Sequence, residues 1–486
     1  MTVDPPHHRT RSRTKLILAF CLPLFLLGIL GWLTGPMAGS AIAQDAAAAA
    51  KPATDPGDTA WMLMSSALVL FMTPGLAFFY GGLTRSRNVL NTMMMSLIAM
   101  AIVGVTWILW GYSLSFAPFA LNPGGDPAYT ANPFIGSLMW LGLNGVAFDA
   151  PDPVGYAGTI PHQVFMVYQM MFAIITVALV SGAIVERMSF KAFFWFVVLW
   201  STFVYCPLAH MVWGKGFLGV NLGALDFAGG TVVHISSGVS ALVAAWLLGP
   251  RKDWMIRPIV PHNVPYVLLG VGMLWFGWFG FNAGSALAAN GLATVAFVAT
   301  MVSTAAAGLA WTVVEWITKG KPTAVGIGSG FVAGLVGITP AAGFVTPLSA
   351  ILIGVITSLC CFVAVNVKAK LRFDDSLDTY PIHGVGGTVG ALLTGILATS
   401  TVNSAATNGL IMGEGGVKTF LGGLAAIVIA YLVAAIGTII ILKGLSLVMD
   451  LRVKPEVEEE GLDIYEHGEA AYGEEFEGEV SFAKVD

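Results

Sequence analysis

Three observations predict an all-α integral membrane protein with eleven transmembrane helices, built as two inverted five-helix repeats plus a C-terminal eleventh helix. The 486 residues are 56% hydrophobic and only 10% charged, with a mean hydropathy of +0.79, whereas soluble domains carry about 25% charged residues. From Thr59 onward apolar segments of about 20 residues recur, each long enough to cross the hydrocarbon layer as a helix. Lysine and arginine mark every second loop, as expected when a chain alternates sides of a bilayer.

The chain opens with Arg9, Arg11, Arg13 and Lys15 ahead of an apolar run from Leu16 to about Leu33, then "AIAQD", an A-x-A pattern ending at Ala43. Residues 1–43 read as a cleaved secretory signal peptide, with an uncleaved anchor helix as the competing reading. Residues 44–58 follow as a flexible extracytoplasmic N-terminus. The membrane domain, 59–449, holds spans near 60–82, 88–114, 162–185, 192–213, 229–249, 264–283, 290–317, 322–341, 345–367, 380–400 and 418–449. Arg85 and Arg87 follow the first span, and the long loop from about 115 to 161 has neither lysine nor arginine. Arg187 with Lys191, then Arg251, Lys252 and Arg257, then Lys319 with Lys321, then Lys368, Lys370 and Arg372 fill every second loop. The loops between hold only Lys215 and Lys418. Positive residues stay inside, so the mature N-terminus is expected outside a plasma (inner) membrane and the C-terminus, after Arg452 and Lys454, in the cytoplasm. Residues 450–486 form an acidic cytoplasmic tail that supplies most of the net charge of −5.

Eleven divides as five plus five plus one, and an odd repeat places its second copy upside down. Span five carries His234 and Gly238 in "VHISSGVSAL", and span ten carries His383 and Gly387 in "IHGVGGTVGAL". An inverted repeat brings two such positions together near the midplane. Paired imidazoles can share a proton and line a narrow pore that suits a small hydrogen-bonding solute and penalises a permanent cation. Haem ligation is the competing use of paired histidines; the many glycines argue instead for close helix packing without a large cofactor. Cys21, Cys206, Cys360 and Cys361 lie in apolar segments without metal-type spacing. No nucleophile with a base and no phosphate loop occurs at motif spacing, so an enzyme is not expected.

Tyr168, Phe172, Trp213, Trp278 and Phe281 are span aromatics whose ordinary role is packing or interface anchoring. Trp213, in "AHMVWGKG" at the outer end of span four, can also attract a cation through its ring face. Asp226, in "GALDFAGG", reads first as an N-cap for span five and second as an electrostatic aid to an external cation.

"FYGGLTRSRNVLN", "AHMVWGKG", "GALDFAGGTVVHI", "GWFGFNAGSA", "DDSLDTYPIHGVGGTVG" and "LRVKPEVEEEGLDIYEHGEAAYG" together resemble the ammonium transporter (Amt/Mep/Rh) family, its bacterial and plant Amt branch in particular, from about Trp61 to Tyr472. The resemblance implies an ammonium recruitment site at Trp213 and Ser285, with Tyr168 where the family often has Phe and Asp226 in support. It implies a gate of stacked rings at Phe172 and Phe281, and a pore lined by Trp278 and the twin histidines His234 and His383. Gln169 also sits at a matching position. A homotrimer, and a PII-type signal protein acting through the tail to about Tyr472, are implied as partners. The departure at Tyr168 adds a hydroxyl that either bonds ammonium or ties the ring in place. Ammonium sensing through a partner, and electroneutral ammonia conduction, are the alternative functions.

Overall fold

The computed structural model describes residues 54–119, 132–256, 259–371 and 373–472. The expected signal peptide, most of the lead-in to residue 58 and the last residues of the tail lie outside these. Nine described helices are long and apolar enough to cross a membrane. In chain order they are α1 (Pro56–Leu83), α2 (Ser86–Phe116), α3 (His162–Ala183), α4 (Phe190–Asn221), α5 (Gly230–Leu248), α6 (Val264–Ala286), α7 (Gly291–Lys319), α9 (Pro347–Lys368) and α11 (Gly416–Ser446). Two further helices fall where the remaining spans were expected: α8 (Ala324–Ile338), apolar but short, and α10, formed by Tyr380–Val385 and Gly386–Leu397.

One boundary differs from expectation. Asp55 accepts from Asp58 N at 2.8 Å and caps α1, with Pro56 in the first turn, so the end of the presumed flexible lead-in is already helix.

Glycines set how the helices meet. A Cβ at Gly75 would press on Met273, at Gly82 on Val267, and at Gly280 on Leu68 and Ser65, so α1 and α6 run in backbone-to-backbone contact. The same holds where α5 crosses α10: Gly238 faces the backbone of Gly384, and Gly387 faces Gly230 and His234. α1 thus pairs with α6, and α5 with α10.

Loops gather at two ends. At one, Arg85 meets Glu186 at 2.8 Å, Glu186 meets Arg251 at 2.9 Å, and Arg251 meets Asp374 at 2.8 Å. The tail docks on this end through α12 (Pro455–Glu460) and α13 (Leu462–His467). Glu458, 2% exposed, takes bonds from Lys252 N and Arg452. Asp463 accepts from the amides of Leu90 and Asn91 at the start of α2, where a helix N-terminus favours a carboxylate. At the other end, the 132–161 segment packs Tyr112, Phe116, Trp140, Tyr156, His162 and Phe165 into an aromatic cluster.

Candidate functional site

On α3, Tyr168 and Phe172 are one turn apart, and on α6, Trp278, Phe281 and Ser285 recur every three or four residues, so each set shares a helix face. The two faces meet. Phe172 and Phe281 stack with centroids 4.2 Å apart and planes at 27°. Tyr168 and Trp213 present their rings to Phe172 edge-on, at 5.0 Å and 5.8 Å. Trp213 is the C-cap of the Cys206–Val212 stretch of α4, and its indole donates to the Asp226 carbonyl at 2.9 Å.

Two residues expected at the recruitment site, Tyr168 and Asp226, are buried. Tyr168 is fully buried, and its hydroxyl lies 2.8 Å from Phe281 O and 2.9 Å from Gly280 O. It ties α3 to the end of α6, the second of the two uses expected for it. The Asp226 carboxylate accepts from the amides of Gly229, Gly230, Thr231 and Val232 and from the Thr231 hydroxyl. That is the capping role, at the N-terminus of α5. Gln169 is buried on α3, with Oε1 unbonded among the described residues.

Beneath the Phe pair lies a narrow cavity of about 10 Å³, walled by side chains that include Met72, Ile175, Leu179, Leu274, Val332 and Phe281. Trp278, His234 and His383 also line it. His234 and His383 approach Nδ1 to Nδ1 at 3.2 Å, their planes at 22°. One Nδ1 must carry hydrogen and the other must not, so the pair holds one proton between them. His234 stacks on Trp278 at 5.4 Å, and Trp278 is fixed by a 2.9 Å bond to Thr339 Oγ1. His234 Nε2 is buried with no bond among the described residues, leaving it available to a molecule in the cavity. With Nδ1 against Nδ1 at this distance, no haem macrocycle fits between the rings.

Both histidines sit in wide π-type turns, Gly230–Ile235 and Tyr380–Val385, a helix defect frequent at functional sites. Sequence reading missed the partner of Asp226. Asp375 lies eight residues before His383, as Asp226 lies eight before His234, and it accepts from Thr379 N at 3.1 Å and Tyr380 N at 2.7 Å. The spacing Asp-x7-His-x3-Gly, which occurs at both histidines, was the available signal. Thr339 gave none.

The sequence pattern of the Ammonium Transporter Family matches residues 60–472. The chain is 50% identical over 417 residues to an ammonium transporter of Bacillus subtilis, covering 86% of this chain and 98% of that one. It is 50% identical over 422 residues to an ammonium transporter of Aquifex aeolicus, covering 86% and 94%. Among solved structures, Saccharomyces cerevisiae Mep2 superposes with a TM-score of 0.73 at 39% identity, covering 83% of this chain and 88% of that chain.

Proposed function

The chain belongs to the ammonium transporter family, and from that premise we propose that it recruits NH4+ at Trp213 and Ser285, strips one proton, and passes NH3 between Phe172 and Phe281 and past the twin histidines into the cytoplasm. The observation that carries this reading is the 3.2 Å imidazole pair in an apolar-walled cavity under stacked rings. An ammonium ion entering that cavity would give up its water with no carboxylate to replace it, at a cost of several kcal/mol. Ammonia carries no charge and can both donate to and accept from the histidine nitrogens. At the mouth the balance reverses, because the Trp213 ring face and the C-terminal end of α6 both favour a cation. Deprotonation therefore belongs between mouth and cavity, and the proton travels separately along the shared imidazole bond, which makes transport electrogenic.

The reading extends to the whole chain. We take α1–α5 and α6–α10 as inverted repeats with α11 appended, eleven crossings in all. The α1–α6 and α5–α10 pairings support this, since equivalent helices meet about a two-fold axis. The arginine-rich end is then cytoplasmic, and the docked tail is the surface that a PII-type protein would engage. The assembly is a homotrimer with one pore per subunit, which cross-linking in native membranes reads directly.

The test is a transient current from purified protein in liposomes on an ammonium jump, with potassium as control and His234→Ala alongside. Expected is an ammonium-specific current that falls or loses selectivity in the variant. An internal pH change without current would make it a neutral ammonia channel. No response in either assay would favour a sensor.

A further inference from the structure

His210 is a buried histidine that the transport reading leaves unused. It stands one turn before Trp213 on α4 and is 1% exposed. Both of its ring nitrogens face backbone carbonyls: Nδ1 lies 3.0 Å from Ser115 O, and Nε2 lies 2.8 Å from Asn132 O. Carbonyls only accept, and a neutral imidazole has one N–H to give. In the neutral ring a lone pair must therefore stand against one carbonyl oxygen, whereas the imidazolium has a hydrogen for each. Both distances are those of N–H···O bonds and shorter than the roughly 3.3–3.6 Å of C–H···O contacts, so a ring turned over to place carbons there does not fit. Two helix ends add to the preference. Ser115 is in the last turn of α2 and His210 in the last turn of the Cys206–Val212 stretch of α4, where unbonded carbonyls favour a cation. The titratable side chains of the same elements are engaged elsewhere: Cys206 with Gly111 O, Tyr112 with His162, Lys215 with Val154 O, and Asp152 with backbone amides of its own segment. No charged side chain among the described residues acts on the His210 ring.

We propose that His210 is an external proton-binding site that works as a clasp. Protonated, it bonds the end of α2 and the outer segment at Asn132 to the α4 turn that carries Trp213; deprotonated, it lets one of the two carbonyls go. That the proton comes from outside rests on the orientation proposed above, with the arginine-rich end in the cytoplasm. The clasp reaches the mouth through the backbone. Gly216 N donates to His210 O at 3.1 Å and Phe217 N to Pro133 O at 2.8 Å, and at Gly214 a Cβ would collide with both Ser115 O and the His210 ring. Trp213 lies within this set of anchors. Imidazole changes charge between about pH 5 and 8, so acid outside tightens the turn under Trp213 and alkali loosens it.

Amide hydrogen exchange read by mass spectrometry tests the clasp, on wild type and His210→Gln in liposomes at about pH 5 and about pH 8, with rates corrected for the chemical effect of pH. In wild type the amides of 132–137 and 213–219 should lose about two- to tenfold of their protection at the higher pH, the worth of one hydrogen bond. Glutamine carries the same amide donor at every pH, so in the variant protection should change less than about 1.5-fold. Solid-state nitrogen NMR of histidine-labelled wild type gives a second reading. The signals absent from both His210→Gln and His210→Asn should show two protonated ring nitrogens at about pH 5 and one at about pH 8. Equal loss of protection in wild type and His210→Gln, or a bare ring nitrogen on His210 at the lower pH, would overturn the proposal. In sealed vesicles of known orientation the loss of protection should follow the outside pH; a loss that follows the inside pH would instead strike the orientation on which the external assignment rests.

Discussion

At Asp226 one carboxylate serves four consecutive amides, Gly229 to Val232, and the Thr231 hydroxyl, while the carbonyl of the same residue holds the Trp213 indole at 2.9 Å. Removing the carboxylate leaves buried donors without an acceptor, at about 1–3 kcal/mol, and frees the turn that steadies Trp213. Asp226→Ala should therefore lower the thermal midpoint and cut ammonium current at least tenfold, on the order of the 1.4 kcal/mol that corresponds to a factor of ten. Asp226→Asn keeps one acceptor oxygen and should fall between, and a fully active alanine variant would refute the role. The cap was legible, because an Asp just ahead of an apolar run in "GALDFAGG" is an N-terminal signal. Its twin was not. In "DDSLD" the residues Asp374, Asp375 and Asp378 look alike in sequence, and only folding sorts them: Asp375 onto the α10 amides, Asp374 onto Arg251 and Asp378 onto Lys368.

Most helix ends, though not the end of α4 at Asn221, were readable from hydropathy to within a few residues, because about 20 apolar residues in a row have few other uses in water. The exceptions have identifiable causes. An apolar window overlooks polar caps, so Asp55 and Pro56 were assigned to the lead-in although they begin α1. The π-type turns at His234 and His383 leave hydropathy unchanged and had no signal in the pattern used. At those turns α5 and α10 cross closely, and here glycine decides. A Cβ at Gly387 would stand 2.9 Å from both Gly230 O and His234 Cβ, so an added methyl displaces the histidine itself. Gly387→Ala should cost about 1–3 kcal/mol of stability and lose most of the current. Gly272→Ala and Gly423→Ala, where an added Cβ meets nothing within 4 Å, should keep wild-type stability and current, or gain slightly through helix propensity. Equal behaviour of all three in thermal melts and transient currents would remove the crossing as the reason for the glycine.

Across the whole molecule, charge patterning in the sequence set which loops share an end but not which side chains pair there. The pairing turns out to be one network from Arg85 through Glu186 and Arg251 to Asp374, with the tail clamped beside it by Arg452 and Glu458. Burial alone would raise the Glu186 carboxyl, but Arg251 and then Arg85 outweigh it and hold the group below the usual carboxylate range. Asp374 follows the same pattern: burial raises it, and the bonds and charge of Arg251, with Arg187, bring it lower. A carboxylate depressed in the folded state stabilises the fold above its unfolded pKa, near 4, and loses that contribution as pH falls through the folded value. Asp375 shifts the other way, because burial outweighs Lys368, so the slope of the whole protein mixes both signs and a variant is needed to isolate one. Glu186→Gln should start with a lower thermal midpoint at pH 7, since it leaves Arg251, which is 5% exposed, with Asp374 as its one remaining carboxylate partner. It should then lose less than wild type between neutral pH and about pH 3. Thermal melts across that range compare the two slopes, and identical acid limbs would mean that the network contributes no pH-dependent stability to the arginine-rich end.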